Sequence, residues 1–249
     1  MALILISNDD GIDALGLKIL RAAVKDLGRT IVFAPIGERS GASHSLTIHK
    51  SIKVKKIEED TYVTDGTPTD CILYSVRGIL EEKPALVLGG INHGANLGCD
   101  VSYSGTVAIA MEGTLLGIPS IAFSQVDFQN SFNPQFAEKV VRWIARKILK
   151  NKLPEGVFLN INLPPKPNGK IKITSLGNRV YRDKVIKCME NENEFVYSLK
   201  GEEPTWIPSS NSDFDAIENG FVSITPIHME YTDFDMIKKL KDWEDECQL

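Results

Sequence analysis

Apolar strand patterns alternate with helix patterns through the first two thirds of the chain, and that alternation is what most restricts its fold. Leu3 to Ile6 is an unbroken aliphatic run. Leu17, Leu20, Val24 and Leu27 then recur at helical spacing, with Gly28 as a stop. Thr30 to Pro35, Ser51 to Val54 and Thr61 to Val63 read as strands, and Thr67-Pro68-Thr69-Asp70 opens a helix toward Leu80 with proline in the favoured first turn. Ala85 to Leu88 is an apolar strand predicted to end at Gly89-Gly90. Helices are predicted from Gly105 to Leu116 and Phe136 to Leu149, and strands from Pro119 to Phe123 and Phe158 to Ile161. Strands separated by helices of this length require right-handed crossovers, which gives an α/β fold around a mostly parallel sheet with helices on both faces.

The pattern breaks near Pro164. Short strand-like runs follow at Lys170 to Thr174, Phe195 to Leu199 and Phe221 to Thr225, then an amphipathic stretch from Asp233 to Trp243. Hairpins of this kind need an external surface to pack on. The expected organisation is therefore a core over residues 1–164 that carries the active site, and a C-terminal β-hairpin and helix extension over 165–249 used in oligomerisation.

A net charge of -5 leaves no electrostatic footprint for polymeric nucleic acid. An acidic chain can still take an anionic substrate through a local device, such as a metal ion or a helix N-terminus. No stretch has the length of a membrane span and no signal peptide precedes the first strand. Cys71, Cys99, Cys188 and Cys247 form no CxxC pair, so reduced thiols and a cytoplasmic location are expected.

Four polar segments follow strands or open helices, and so are predicted to meet at the carboxyl edge of the sheet, where open α/β sheets bind ligands. They are Asn8-Asp9-Asp10-Gly11, Glu38 to Ser45, Gly89 to Asn96, and Ser102 to Thr106. A dinucleotide site would place glycines after the first strand; this chain places two carboxylates, which repel a phosphate unless a cation lies between them. Asn and Asp are also ordinary helix caps and turn residues. Adjacent strand residues point to opposite faces, so Asp9 and Asp10 can share an ion only if the chain bends, which Gly11 permits. Carboxylate, hydroxyl and carboxamide oxygens suit Mg²⁺ or Mn²⁺, with Co²⁺ as a third candidate. Ser104-Gly105-Thr106 at a helix start is either an anion cradle or a plain cap. An imidazole at His44, or at His93, is a candidate proton donor to a leaving alkoxide. Glu112 is expected to orient a Lys or Arg group.

These stretches, together with Gly66-Thr67-Pro68-Thr69-Asp70-Cys71, Gly90 to Gly98, Tyr103 to Val107, Glu112-Gly113 and Gly220 to Pro226, resemble the SurE (stationary-phase survival protein E) family over nearly the whole chain. The resemblance implies a Rossmann-like fold and a metal-dependent phosphatase acting on nucleoside 5′- or 3′-monophosphates, with exopolyphosphatase activity in some members. It implies one divalent ion per subunit held by Asp9, Asp10, Ser40 and Asn92, with Asp9 and Asp10 also catalytic. Substrate contacts are expected from Asn96, Ser104, Gly105 and Thr106, and from Ser43 and His44. It also implies an extension exchanged between subunits of a homodimer or homotetramer. Two departures from the family pattern are Gly89, where Ser is usual, and Cys99, where an acid is frequent. A non-catalytic nucleotide-binding regulatory module is the alternative. An aspartyl-phosphate phosphatase of the haloacid dehalogenase type would need a second acid where Gly11 stands.

Overall fold

The computed structural model describes residues 1–128, 132–190, 193–201 and 205–246; Cys247 lies outside them. Strand β1 (Leu3–Ser7) is buried along its whole length, and its alternate side chains divide between two cores. Ile4 and Ile6 pack on helices α1 (Leu15–Val24) and α4 (Pro134–Asn151), while Leu3 and Leu5 face α2 (Pro68–Tyr74) and α3 (Gly105–Leu115). Helices thus cover both faces, as expected for an α/β fold.

A nine-stranded sheet runs between these layers. Parallel to β1 on one side lie β2 (Arg29–Pro35) and then β4 (Thr61–Thr64); on the other lie β5 (Leu86–His93), β6 (Ser120–Gln125) and β7 (Val157–Leu163). The strand order therefore reverses at β1, between β2 and β5. The exposed strand β3 (Val54–Glu58) pairs antiparallel with β4, so pairing begins at Val54 rather than running through 51–53. The strand starting at Leu86 continues through Gly89-Gly90 to His93, with a register shift against β6 between Gly89 and Asn92. That irregularity carries Asn92 and His93 out along the carboxyl edge while they still pair with Ser124 and Gln125.

Beyond residue 164 the chain first returns to the same sheet. Strand β8 (Ile171–Ile173) pairs with β13 (Val222–His228), which in turn lies antiparallel to β7. Between them, β9 (Arg179–Val180) pairs with β12 (Thr205–Trp206), and β10 (Asp183–Glu190) with β11 (Phe195–Gly201). Helix α5 (Asp213–Glu218) packs Phe214 and Ile217 against Leu97, with Trp206 stacked on Phe214 at 4.4 Å. Helices α6 (Phe234–Leu240) and α7 (Trp243–Glu246) stand where one closing helix was predicted.

Candidate active site

Asp9 and Asp10 leave β1 at the point where strand order reverses, the crevice in which open α/β sheets bind ligands. They do not cap the next helix: the N-cap of α1 is Ala14, with no side-chain bond. Gly11, at φ +99°, turns the chain so that both carboxylates reach one cavity. Asp9 is only 4% exposed, and its Oδ1 accepts a hydrogen bond from the Thr106 hydroxyl. The carboxylate therefore lies over the first turn of α3, and a Cβ on Gly105 would stand 2.9 Å from Asp9 Oδ2. Asp10 Oδ2 accepts the backbone N–H of His93 at 3.3 Å.

Burial pushes the Asp9 carboxyl up to about 6, helped by the Asp10 charge and opposed by the Thr106 bond. Asp10 is also raised to about 6, again chiefly by burial, with Glu38 adding to the shift and the His93 N–H opposing it. Burial holds the His93 imidazole below its ordinary value, against the pull of Asp9 and Glu38. Two carboxyls crowded in this way favour any cation that settles between them.

The other predicted groups complete an oxygen-rich wall. Asn92 Nδ2 donates to the Gly94 carbonyl at 3.1 Å, and Asn92 Oδ1 lies 3.4 Å from the Thr106 hydroxyl. Ser40 donates to Glu38 Oε1 at 2.7 Å and keeps its lone pairs free for a ligand. Ser104 caps α3 by accepting from the Val107 N–H at 3.1 Å, while also lining the cavity. Asn96 is held on three sides: its N–H donates to Asn162 Oδ1 at 2.9 Å, and its carbonyl accepts from Asn160 Nδ2 at 2.8 Å and Asn162 Nδ2 at 2.9 Å. The cavity measures about 550 Å³. Asp9, Asp10, Glu38 and Asp100 line it, and no Lys or Arg among the described residues does so.

The sequence model of the family described as "Survival protein SurE" matches residues 4–183. This chain belongs to the SurE family. It is similar to the protein named 5'-nucleotidase SurE from Aquifex aeolicus, 44% identical over 98% of this chain and 99% of that one. The protein of the same name from Vibrio cholerae is 40% identical over 96% of each chain. The crystal structure of the Aquifex aeolicus SurE protein superposes with a TM-score of 0.87 at 43% identity, covering 98% of this chain and all of that one.

Within this SurE fold, Ser43 and His44 stand apart from the cavity lining. The Ser43 hydroxyl donates to the Ser102 carbonyl at 2.7 Å. His44 Nε2 lies 2.9 Å from Glu112 Oε2, so the partner of Glu112 is an imidazole rather than the Lys or Arg expected of it. The imidazole that lines the cavity is His93, whose Nδ1 is 3.8 Å from Asp10 Oδ1. The Thr67-Pro68-Thr69-Asp70 motif is a capping box that also ties down the loop after Ser45: Asp70 accepts from the Thr47 N–H and hydroxyl, and Thr67 donates to the Ser45 carbonyl.

Sequence reading did not find Asp100, Tyr181, Arg179, Asn160, Asn162 or Asp213. Asp213 accepts the N–H groups of both Gly98 and Gly177 at 2.8 Å, clamping the loop after Asn96 to the C-terminal segment. The only signal was the alternation of Asn160 and Asn162, two amides on one face of the otherwise apolar β7, which runs two residues past the predicted end at Ile161. Of the two departures, Gly89 stands where a Cβ would meet the Thr106 carbonyl oxygen at 2.7 Å, and Cys99 Sγ lies 3.6 Å from the Tyr181 hydroxyl.

Proposed function

We propose that this chain is a divalent-metal-dependent phosphomonoesterase that releases phosphate from nucleoside monophosphates, a 5′-nucleotidase like those its relatives are named for, accepting 3′ esters as well. The observation that carries this reading is the convergence of a buried and a half-buried carboxylate, a turned carboxamide oxygen and a hydroxyl at the strand-order reversal. Among the described residues no group of three or more His, Cys, Asp or Glu side chains is placed to hold an ion. Asp9, Asp10, Asn92 and Ser40 together supply the oxygen donors that Mg²⁺, Mn²⁺ or Co²⁺ takes, and would hold one such ion. When bound, the ion supplies positive charge for a phosphate oxygen and for the charge that develops on it.

The chain's own groups do the rest. The Ser104 hydroxyl proton, the second amide hydrogen of Asn96 and the first N–H groups of α3 hold the remaining phosphate oxygens. Asp9 is committed through Thr106, so the less buried Asp10 takes a proton from the attacking water. The water oxygen bonds to phosphorus, the ester P–O bond breaks, and the departing oxygen is protonated from solvent. Short polyphosphate belongs in the substrate panel, since its cleavage needs the same phosphate clamp.

The division of the chain at residues 164 and 165 is a proposal about role: the first part carries the catalytic edge, the second braces it and joins subunits. Support for a homodimer or homotetramer comes from the β10–β11 hairpin, where Val185, Phe195, Tyr197 and Leu199 are exposed. A cytoplasmic location is supported by the free thiols at Cys71, Cys99 and Cys188. Among the described residues no helix is long and apolar enough to cross a membrane.

The test is phosphate release from a panel of nucleoside monophosphates after EDTA stripping and re-addition of Mg²⁺, Mn²⁺ or Co²⁺. Release restored by the ion is the expected result. Nucleotide binding without release under any ion, from a folded oligomer, would replace the enzyme with a regulatory binding module. Light-scattering mass in the same buffer separates dimer, tetramer and monomer.

A further inference from the structure

The end of the cavity away from Asp9 and Asp10 is built from different material. Two aromatic rings stand there, Tyr103 and Tyr181, 65% and 42% exposed. Tyr103 is held through its backbone and Tyr181 through its hydroxyl, and both rings are left open. Tyr103 follows the short 3-10 turn Gly98–Ser102; its N–H donates to the Asp100 carbonyl at 3.0 Å and its carbonyl accepts the Ser43 N–H at 3.1 Å. The Tyr181 hydroxyl donates to Asp100, whose carboxylate also pairs with Arg179, and the Arg179 guanidinium lies 5.5 Å from the Tyr181 ring centre. Among the described residues neither tyrosine stacks on another aromatic ring.

We propose that Tyr103 and Tyr181 form the seat for the leaving group, taking the flat face of a nucleobase, with the Asp100 carboxylate positioned for ribose hydroxyls. The inference rests on the phosphatase reading and specifies its substrate. Three observations lead to it. An exposed ring tethered at its hydroxyl, as Tyr181 is, offers a π face that a base covers at little entropic cost, and Tyr103 adds a second exposed ring on the same cavity. Among the described residues no Lys or Arg lines the cavity, and Arg179 behind it is paired with Asp100, so the acidic wall favours a neutral leaving group over a further phosphate. Cys99, against the Tyr181 hydroxyl, adds no charge beside the ring.

The experiment compares adenosine monophosphate with β-glycerophosphate, which carries the ester without a base, in wild type, Tyr181→Ala and Tyr181→Phe, and measures adenosine binding by calorimetry in each. The ratio of kcat/KM for the nucleotide to that for glycerophosphate is expected to fall about tenfold or more in Tyr181→Ala. In Tyr181→Phe, which keeps the ring, it is expected to stay within about threefold. Adenosine binding should weaken in parallel. An unchanged ratio together with unchanged adenosine binding in Tyr181→Ala overturns the proposal. If no protein releases phosphate from either ester but Tyr181→Ala alone loses adenosine, the seat stands and the phosphatase reading fails.

Discussion

The two ends of one cavity are built by opposite means. The end proposed to hold phosphate consists of residues near strand ends and the start of α3, largely buried and cross-bonded: Asp9 to Thr106, Asn92 to Gly94, Asn96 to Asn160 and Asn162. The end proposed to seat the leaving group consists of exposed rings brought together over long sequence distances, with Tyr181 reaching Asp100 from the C-terminal segment. A group that carries charge through a reaction needs donors already in place, because reorganising them would raise the barrier. A seat for a neutral flat group needs only a surface of the right kind. The difference teaches that geometry is most tightly held where charge is to develop.

The largest effect expected from breaking that contrast is at the phosphate end. Asp9→Asn or Asp10→Asn should lower kcat/KM by roughly 10³-fold. Thermal stability at pH 7 should hold or rise, since each change removes a crowded carboxylate. A variant with near-wild-type turnover would show that the carboxylate is not part of the chemistry.

Next comes pH. In the metal-free protein Asp9 and Asp10 titrate near 6, above their ordinary 3.8, so protons compete with the ion up to that value. Mn²⁺ affinity measured by calorimetry should level off above pH 7 and drop below 6, by roughly tenfold per unit for each carboxylate. Stability of the metal-free fold runs the other way. Between 3.8 and about 6 the folded chain binds more protons than the unfolded one at these two groups, so their contribution grows as pH falls through that window. Melting curves with and without Mn²⁺ across this range would separate the two dependences.

A smaller effect is expected at the brace that strand β7 supplies to Asn96. Asn162→Leu removes the acceptor for the Asn96 N–H and one donor to its carbonyl. The cost to stability is about 1–3 kcal/mol by denaturant titration, and kcat should fall about tenfold as Asn96 loses its position. Loss of stability with kcat intact would make the brace purely structural.

The smallest effect belongs to His44. Its imidazole faces Glu112 rather than the cavity, and glutamine can keep a donor on that carboxylate. His44→Gln should leave kcat/KM within about threefold and stability within about 1 kcal/mol. A tenfold loss of turnover with an altered pH profile would bring His44 back into the reaction.

Much of this molecule was legible without coordinates. The alternation of apolar runs with helical spacing required a parallel sheet between helical layers, and Asp9, Asp10, Ser40, Asn92, Asn96 and Ser104 all lie at or within a few residues of a strand end or a helix start. Their cavity edge is local in sequence, so pattern alone located it. Boundaries failed where tertiary pairing overrode local signals. The double glycine reads as a strand end, yet β5 runs through it because β6 continues to pair beyond the bulge. His44 and His93 are equally plausible imidazoles in a string of letters; only packing places one against Glu112 and the other beside Asp10. Asp100, Arg179, Tyr181 and Asp213 carry no pattern that points to a site, because what joins them is a set of contacts spanning tens of residues. The sequence by itself determined the fold class and the oxygen-rich end of the cavity, since both follow from periodicity and from what must lie at strand ends. Which side chains meet across the chain at the leaving-group end was decided by tertiary structure alone, because long-range contact is a property of packing and not of any local run of residues.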